Sequence, residues 1–189
     1  AAAAVAAVPY DVVNTDEARA LAGDQPLSFL HVSRAEIDLP ADTDPYSAAV
    51  YEKAVANFAS LRGAAPLEVE AEPTLYVYRL RMGAHVQTGV AACFSVDEYD
   101  TDLIKKHERT RRDKEDDRTR HILATRGQTG PVFLTYKASA AVDAIIARAT
   151  LQLPLFNFTA VDGIVHTIWQ VPAAERDALV AAFGQIPAL

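Results

Sequence analysis

The sequence predicts an α+β fold with mixed or antiparallel sheets, β-hairpins and flanking helices. Two pairs of strand-like segments are each joined by a short turn, which places the strands of a pair side by side. Helical patterns lie before, between and after these pairs. Apolar residues make up 50% of the 189 positions, so the chain has enough material for a core.

Two helices are predicted in the N-terminal part of the chain. Asn14 and Glu17 have the spacing of a capping box, and Gly23 is a natural end for the helix that they start. After a loop over 38–45, a second helix is predicted to start at Asp44-Pro45 and to end at 63–66. Its apolar face is spaced at near-helical intervals: Tyr46, Val50, Ala54, Phe58 and Leu61.

Strands are predicted where β-branched and aromatic residues alternate or cluster, at residues 27–32, 74–80, 85–96, 131–136, 155–161 and 164–171. Gly83 lies in the turn that joins the second and third of these segments. Asp162-Gly163 joins the last two and suits a two-residue hairpin turn, because such a turn needs positive φ angles. Further helices are predicted over 139–150 and 172–183.

The chain has no internal repeat, and we expect a single α+β unit with a weak boundary near 127–130. Its last residues, 186–189, resemble the approach to another strand. We therefore expect this sequence to be the N-terminal part of a longer protein.

Composition excludes several classes of protein. No run of about 18 apolar residues could cross a membrane. Because the first basic residue is Arg19, the apolar start does not have the pattern of a secretory signal. The single Cys93 excludes an intramolecular disulfide and a multi-cysteine metal site, and its apolar neighbours predict a buried thiol. These features together predict a cytoplasmic protein.

The net charge of −7 conceals a local basic region. Residues 105–126 contain nine Lys or Arg and five Asp or Glu, for a net charge of +4, whereas the rest of the chain carries −11. A basic island on an acidic protein favours a confined anionic ligand. It argues against broad nucleic-acid binding, which needs an extended basic face.

The candidate site is the segment that precedes a predicted helix start at Asp113. Backbone N–H groups at a helix N-terminus, together with basic side chains, favour a phosphate. Glu108 has the chemistry of a base that takes a proton from an attacking hydroxyl, and His107 stands beside it. The alternative is a basic surface loop paired with acids elsewhere. The phosphate-binding candidates are Lys105, Lys106, Arg109, Thr110, Arg111 and Arg112.

Residues 113–120 are better explained as a solvated helix with internal ion pairs, Asp116 with Arg120 and Glu115 with Arg118. Asp117 and His121 have the spacing of half a metal site, but a helix ion pair is favoured. No zinc-protease helix, Walker-type loop or dinucleotide glycine pattern occurs in the sequence. His31, His85 and His166 are each isolated, and we expect structural roles for them.

Five passages, read in order, resemble one known family. They are Val-Pro-Tyr-Asp-Val-Val (8–13), Leu-Ser-Phe-Leu-His-Val (27–32), Ile-Lys-Lys-His-Glu-Arg-Thr (104–110), Asp-Lys-Glu-Asp-Asp-Arg (113–118) and Gln-Thr-Gly-Pro (128–131). The charged block 105–118 is the distinctive part. The chain is identified as a member of a prokaryotic family, number one thousand and fifteen in the domain-of-unknown-function series.

This resemblance implies a place in the ParB/sulfiredoxin-like group, which includes CTP-binding partition proteins and a free-serine kinase. By that analogy, His107 and Glu108 belong to a nucleotide pocket that takes ATP, ADP or CTP with Mg²⁺. A later Asp-Gly-His-His-Arg motif of the family, expected to contact phosphate, is absent from this sequence. We therefore expect this chain alone to lack complete catalysis.

Three functions remain open at this point. The first is a nucleotide-dependent phosphotransferase, resembling a small-molecule kinase, that acts on a small hydroxyl substrate. The second is a non-catalytic module that binds nucleotide or nucleic acid. The third is an assembly protein in which the charged segment forms a homo-oligomer interface.

Overall fold

A computed structural model describes residues 2–65, 67–106 and 109–189. These residues form helices and one antiparallel sheet, which confirms the predicted α+β class. The helices are α1 (Ala2–Val5), α2 (Thr15–Ala22), α3 (Leu30–Ser33), α4 (Ala48–Ala64), α5 (Val96–Asp100), α6 (Arg112–Thr125), α7 (Ala140–Ala149) and α8 (Ala173–Phe183), with a 3₁₀ turn at Ala35–Asp38. The strands are β1 (Tyr76–Met82), β2 (His85–Ala91), β3 (Phe156–Thr159) and β4 (Val165–Gln170).

The chain divides into two compact units, each built from two stretches of sequence. Unit 1 comprises Ala1–Glu68 and Arg109–Val132, and unit 2 comprises Val69–Glu108 and Phe133–Leu189. The chain passes between the units for the last time from Val132 to Phe133.

The start of α2 matches the predicted capping box. The Glu17 amide donates to Asn14 Oδ1 (2.9 Å), and the Asn14 amide donates to Glu17 Oε2 (2.8 Å). Gly23 ends the helix with a φ of 39°, a conformation that a residue with a side chain rarely adopts. The inner face of α2 buries Ala18 and Ala22.

The strand predicted over 27–32 is wrong, because Leu30–Ser33 forms the short helix α3. Alternation in a strand would turn Leu30 and Val32 to the same face. In the structure they enter two different clusters: Leu30 packs with Ala22, and Val32 packs with Leu61. In a helix, residues two positions apart point to different sides, so Leu30 and Val32 can enter different clusters.

Helix α4 begins at Ala48 rather than at Asp44-Pro45. The Asp44 side chain accepts a hydrogen bond from the Tyr46 amide (3.0 Å), and the Asp44 carbonyl accepts one from the Ser47 amide (3.0 Å). These bonds form a turn ahead of the helix, so Tyr46 lies outside it and is exposed. The remainder of the predicted apolar face is buried or half-buried: Val50, Ala54, Phe58 and Leu61.

Helix α6 packs against α4 in unit 1 but buries few side chains of its own, chiefly His121 and Thr125. His121 is 3% exposed, and its Nε2 lies 2.9 Å from the carbonyl oxygen of Val32. The Thr125 hydroxyl donates to the His121 carbonyl (2.7 Å). The His121–Val32 bond fixes the C-terminal half of α6 against α3, and the Thr125 bond satisfies a carbonyl within α6.

Unit 2 contains the sheet, in which the strands have the order β2-β1-β4-β3 and every pair is antiparallel. Gly83-Ala84 joins β1 to β2 as a two-residue loop with φ 58° at Gly83, which confirms the predicted hairpin. The second predicted hairpin also forms, but its loop has three residues, 161–163. There the Gly163 amide bonds to the Ala160 carbonyl (3.0 Å), and Gly163 has a φ of 81°.

One face of the sheet meets α7 and α8 in the core of unit 2. Val77 and Trp169 lie opposite each other on β1 and β4, so their side chains point to the same face. Both are buried there with side chains of the two helices, among them Val142 and Leu179. The Trp169 indole N–H donates to the Gln152 carbonyl (3.1 Å), which satisfies its polar atom.

Two further expectations are corrected by the structure. The strand predicted over 131–136 does not form: Leu134 and Tyr136 are half-buried at alternate positions, but no strand of the described sheet pairs with this segment. Cys93 is exposed rather than buried, because β2 ends at Ala91. Within the described residues, no helix combines the length and the apolar character needed to cross a membrane.

Protonation of His121 is expected to destabilise the protein. Burial lowers the pKa of His121 below its ordinary value of 6.5, and the charge of Arg118 acts in the same direction. The unfolded chain therefore binds this proton more readily, and stability falls as the pH drops through 6.5 and below.

His121→Gln keeps a donor for the Val32 carbonyl but does not titrate. We expect urea unfolding from about pH 8 to about pH 5 to show a smaller loss of stability in this variant than in the unchanged chain. Equal losses in the two proteins would contradict the prediction.

Candidate functional site

The predicted site residues lie in one short segment that the two units share. Lys105 and Lys106 belong to unit 2, whereas Arg109, Thr110, Arg111 and Arg112 belong to unit 1. The proposed catalytic pair, His107 and Glu108, lies outside the described residues.

On the unit 2 side, Lys106 already has an acidic neighbour. Its ammonium donates to Asp102 Oδ1 (3.3 Å) and to the Tyr99 carbonyl (3.0 Å), and it lies 4.2 Å from the centre of the Tyr99 ring. The Lys105 backbone amide donates to the Leu189 carbonyl (2.8 Å), and its side chain is exposed. Of these two lysines, Lys105 is the more available to a ligand.

On the unit 1 side, Arg111 occupies the N-cap position of α6 and pairs with Asp113. Its guanidinium donates twice to the Asp113 carboxylate, at 3.1 and 2.7 Å. These hydrogen bonds lower the pKa of Asp113. The predicted helix start at Asp113 is wrong: the N-cap is Arg111 and α6 starts at Arg112, so Asp113 lies in the first turn and stabilises it through its charge.

The other predicted phosphate-binding residues around the start of α6 are open to solvent. Arg109, Thr110 and Arg112 are exposed, and within the described residues none of their side chains forms a salt bridge or hydrogen bond. Arg111 offers no side-chain acceptor to the first amides of the helix. The start of α6 thus combines basic side chains with the positive end of a helix.

Farther along α6 the ion pairs differ from those predicted. Arg118 pairs with Asp117, at 3.0 and 2.7 Å, rather than with Glu115. Its guanidinium also lies 4.1 Å from the centre of the Tyr10 ring. The Tyr51 hydroxyl donates to Asp117 (2.8 Å); burial, followed by this bond, raises the pKa of Tyr51 to about 12.

Asp117 and His121 do not act together as half a metal site. Asp117 accepts from Tyr51 and Arg118, whereas His121 bonds to Val32. Across residues 2–65, 67–106 and 109–189, no group of three or more His, Cys, Asp or Glu side chains could hold a metal ion.

Sequence reasoning missed the contributions of Tyr10 and Tyr51 to this arrangement. Tyr51 lies 66 positions from Asp117, and no local spacing links them. Tyr10 falls in one of the passages that resemble the family, which was the only signal that it had a role beyond the core.

Comparison with protein families identifies the chain at the level of its family. A family model described as protein of unknown function (DUF1015) matches residues 1–189. The chain belongs to this family. No curated protein and no solved structure matches the chain. For this DUF1015 chain, the grouping with ParB and sulfiredoxin therefore stays a prediction.

The bond between Tyr51 and Asp117 is expected to stabilise unit 1 of the DUF1015 chain. Tyr51 is 9% exposed, and hydrogen bonds to charged groups contribute roughly 1.5–3 kcal/mol. Because Asp117 keeps Arg118 as a partner, we expect Tyr51→Phe to lose about 1–2 kcal/mol of unfolding free energy in urea.

Tyr46→Phe is the matched control. The Tyr46 hydroxyl bonds to Lys114 (2.9 Å) at an exposed position, so its loss should change stability by less than about 0.5 kcal/mol. Equal losses of unfolding free energy in the two variants would show that the buried Tyr51 bond contributes no more than the exposed Tyr46 bond.

Proposed function

We propose that the chain binds the phosphates of a nucleotide at residues 109–112, as part of a phosphotransferase that acts on a small hydroxyl compound. The observation that carries this proposal is the exposed pair Arg109 and Arg112 at the start of the 14-residue helix α6. Thr110 adds a hydroxyl between them. Basic side chains at a helix N-terminus suit an anion, because the side chains and the backbone amides both favour negative charge.

The existing ion pairs of Arg111 and Lys106 are compatible with this role. The Arg111–Asp113 pair is exposed, with side-chain exposures of 76% and 49%. The Lys106–Asp102 pair is similarly open. Exposed ion pairs hold weakly because both charges stay solvated, so a doubly charged phosphate can compete for the cations. We propose Lys105 as a further cation that contacts the phosphates.

In the proposed reaction, the hydroxyl oxygen of the acceptor attacks the γ-phosphorus of ATP. The bond from that phosphorus to the β,γ-bridging oxygen breaks, and ADP leaves. The acceptor proton passes to the Glu108 carboxylate, His107 is the second catalytic candidate, and the arginines balance the phosphate charge, to which Mg²⁺ bound with the nucleotide would add positive charge. By the family resemblance, transfer also requires the Asp-Gly-His-His-Arg motif. We therefore propose nucleotide binding for this chain and transfer for a protein that carries both parts.

The second candidate is a nucleotide-binding module without catalysis. The pairing of Lys106 and Arg111 with acids favours it, since fewer free cations remain to stabilise a transferring phosphoryl group. Extended nucleic-acid contact is disfavoured by the net charge of −7. In either case we propose a cytoplasmic protein with a small-molecule partner, and homo-oligomers through the charged segment remain a separate proposal.

Nucleotide binding is tested with ATP, ADP and CTP, each with Mg²⁺, by calorimetric titration of this chain. We expect the double variant R109A/R112A to weaken binding by at least tenfold, since each substitution removes a charge from the phosphate site. Arg62→Ala is the control, because Arg62 is an exposed arginine at the far end of α4. No binding of any nucleotide, or equal affinities for the double variant and the control, would overturn the proposal.

Transfer is tested in a family protein that contains this chain together with the Asp-Gly-His-His-Arg motif. Glu108→Gln should lower phosphate transfer from ATP roughly 10²-fold or more and leave nucleotide affinity unchanged, because the base contacts the attacking hydroxyl. Nucleotide binding without any transfer would support the second candidate. Unchanged transfer in the variant would exclude Glu108 as the base.

A further inference from the structure

A polar cavity of about 250 Å³ lies in unit 1 where α2, the 3₁₀ turn and the loop before α4 meet. Thr15, Arg19, Glu36 and Thr43 contribute polar groups to its wall. Ala41 and the nearby prolines of the loop contribute carbon surface. None of these residues belongs to the charged segment, so the cavity is separate from the proposed phosphate site.

The Glu36 carboxylate is the most deeply buried charge in this wall, with a side chain that is 8% exposed. Its Oε1 lies 2.9 Å from Arg34 Nε and 3.5 Å from the Thr15 hydroxyl. Its Oε2 makes no hydrogen bond to any other described residue. This oxygen is not among the fully buried polar atoms, so a donor that enters the cavity can reach it and form a charge-assisted hydrogen bond.

Two other groups in the wall are also available. Arg19 uses Nε and Nη1 to bond the Ile37 carbonyl (3.2 Å) and Asp16 (3.1 Å), and within the described chain Nη2 has no partner. The Thr43 hydroxyl has none there either. The cavity is several times larger than the roughly 30 Å³ share of one water molecule. It therefore suits a ligand of a few heavy atoms with a donor at one end and a polar oxygen at the other.

We propose that this cavity binds a small aliphatic amine that carries a hydroxyl group. The ammonium group donates to Glu36 Oε2 in a charge-assisted bond. The carbon atoms contact Ala41 and the prolines, and the hydroxyl bonds to Arg19 and Thr43. Asp16 and Glu36 each pair with an arginine, Arg19 and Arg34, so the site selects an ammonium through the open Oε2 of Glu36 rather than through net charge.

Ethanolamine hydrochloride and ethylene glycol form a matched pair of probes for this site. The two molecules have nearly the same size and shape, but only ethanolamine carries a positive charge at neutral pH. Each is titrated into the chain without nucleotide, and the backbone amide NMR signals of Thr15, Ala41 and Thr43 are followed. We expect ethanolamine to shift these signals to saturation and ethylene glycol to bind at least tenfold more weakly.

Three variants identify the contacts. Glu36→Gln keeps the shape of the side chain and should weaken ethanolamine binding at least tenfold. Asp42→Asn removes an exposed carboxylate beside the cavity and should change the affinity by less than twofold. Ala41→Phe fills the cavity from an exposed loop position and should abolish binding.

If Glu36→Gln does not fold, Ala41→Phe still tests whether ethanolamine binds in the cavity, because Ala41→Phe leaves the Glu36–Arg34 pair in place. Equal shifts with the two probes, shifts that never saturate, or binding that survives Ala41→Phe would each overturn the proposal. Because no nucleotide is present, these outcomes do not depend on the proposed phosphate site.

Discussion

The structure of unit 1 depends on polar contacts that attach helix α6. This helix begins with an almost unbroken run of charged residues and buries little apolar surface, so an apolar stripe does not hold it in place. Instead, His121 reaches the Val32 carbonyl and Asp117 receives the Tyr51 hydroxyl, with both contacts largely removed from water. Such bonds are directional, and they fix the rotation of the helix as well as its position. The basic residues before α6 take their place in unit 1 from this attachment.

Much of the fold could be predicted from local sequence, because the deciding interactions are local. The Asn14–Glu17 box and the turn glycines act within a few residues, and the structure confirms the helix and the two hairpins that they predict. The errors arise where distant packing decides. The segment 27–32 has the composition of a strand, yet its side chains serve two separate clusters and form a helix. The segment 131–136 has strand-like residues, but no strand of the described sheet pairs with it.

The candidate site shows the same division between local and distant information. The concentration of cations before α6 is visible in the sequence, and so is the chemistry of phosphate binding. Local spacing does not decide that Arg111 pairs with Asp113 or that Lys106 lies over the Tyr99 ring, because several acids compete at similar spacings. The sequence does not predict a role for Glu36, because a single acidic residue near an arginine forms no recognisable motif. Its burial depends on contacts with α2 and with the loop before α4.

The interleaving of the two units has a consequence for synthesis on the ribosome. Val32 and His121 are 89 positions apart, and the whole stretch from Val69 to Glu108 belongs to the other unit. The N-terminal helices therefore leave the exit tunnel well before their partner α6 has been translated. Domains usually fold in the order in which they emerge, but here the first unit stays incomplete until its second segment appears. A nascent chain that pauses in this interval presents an unfinished core, which is the kind of surface that chaperones recognise.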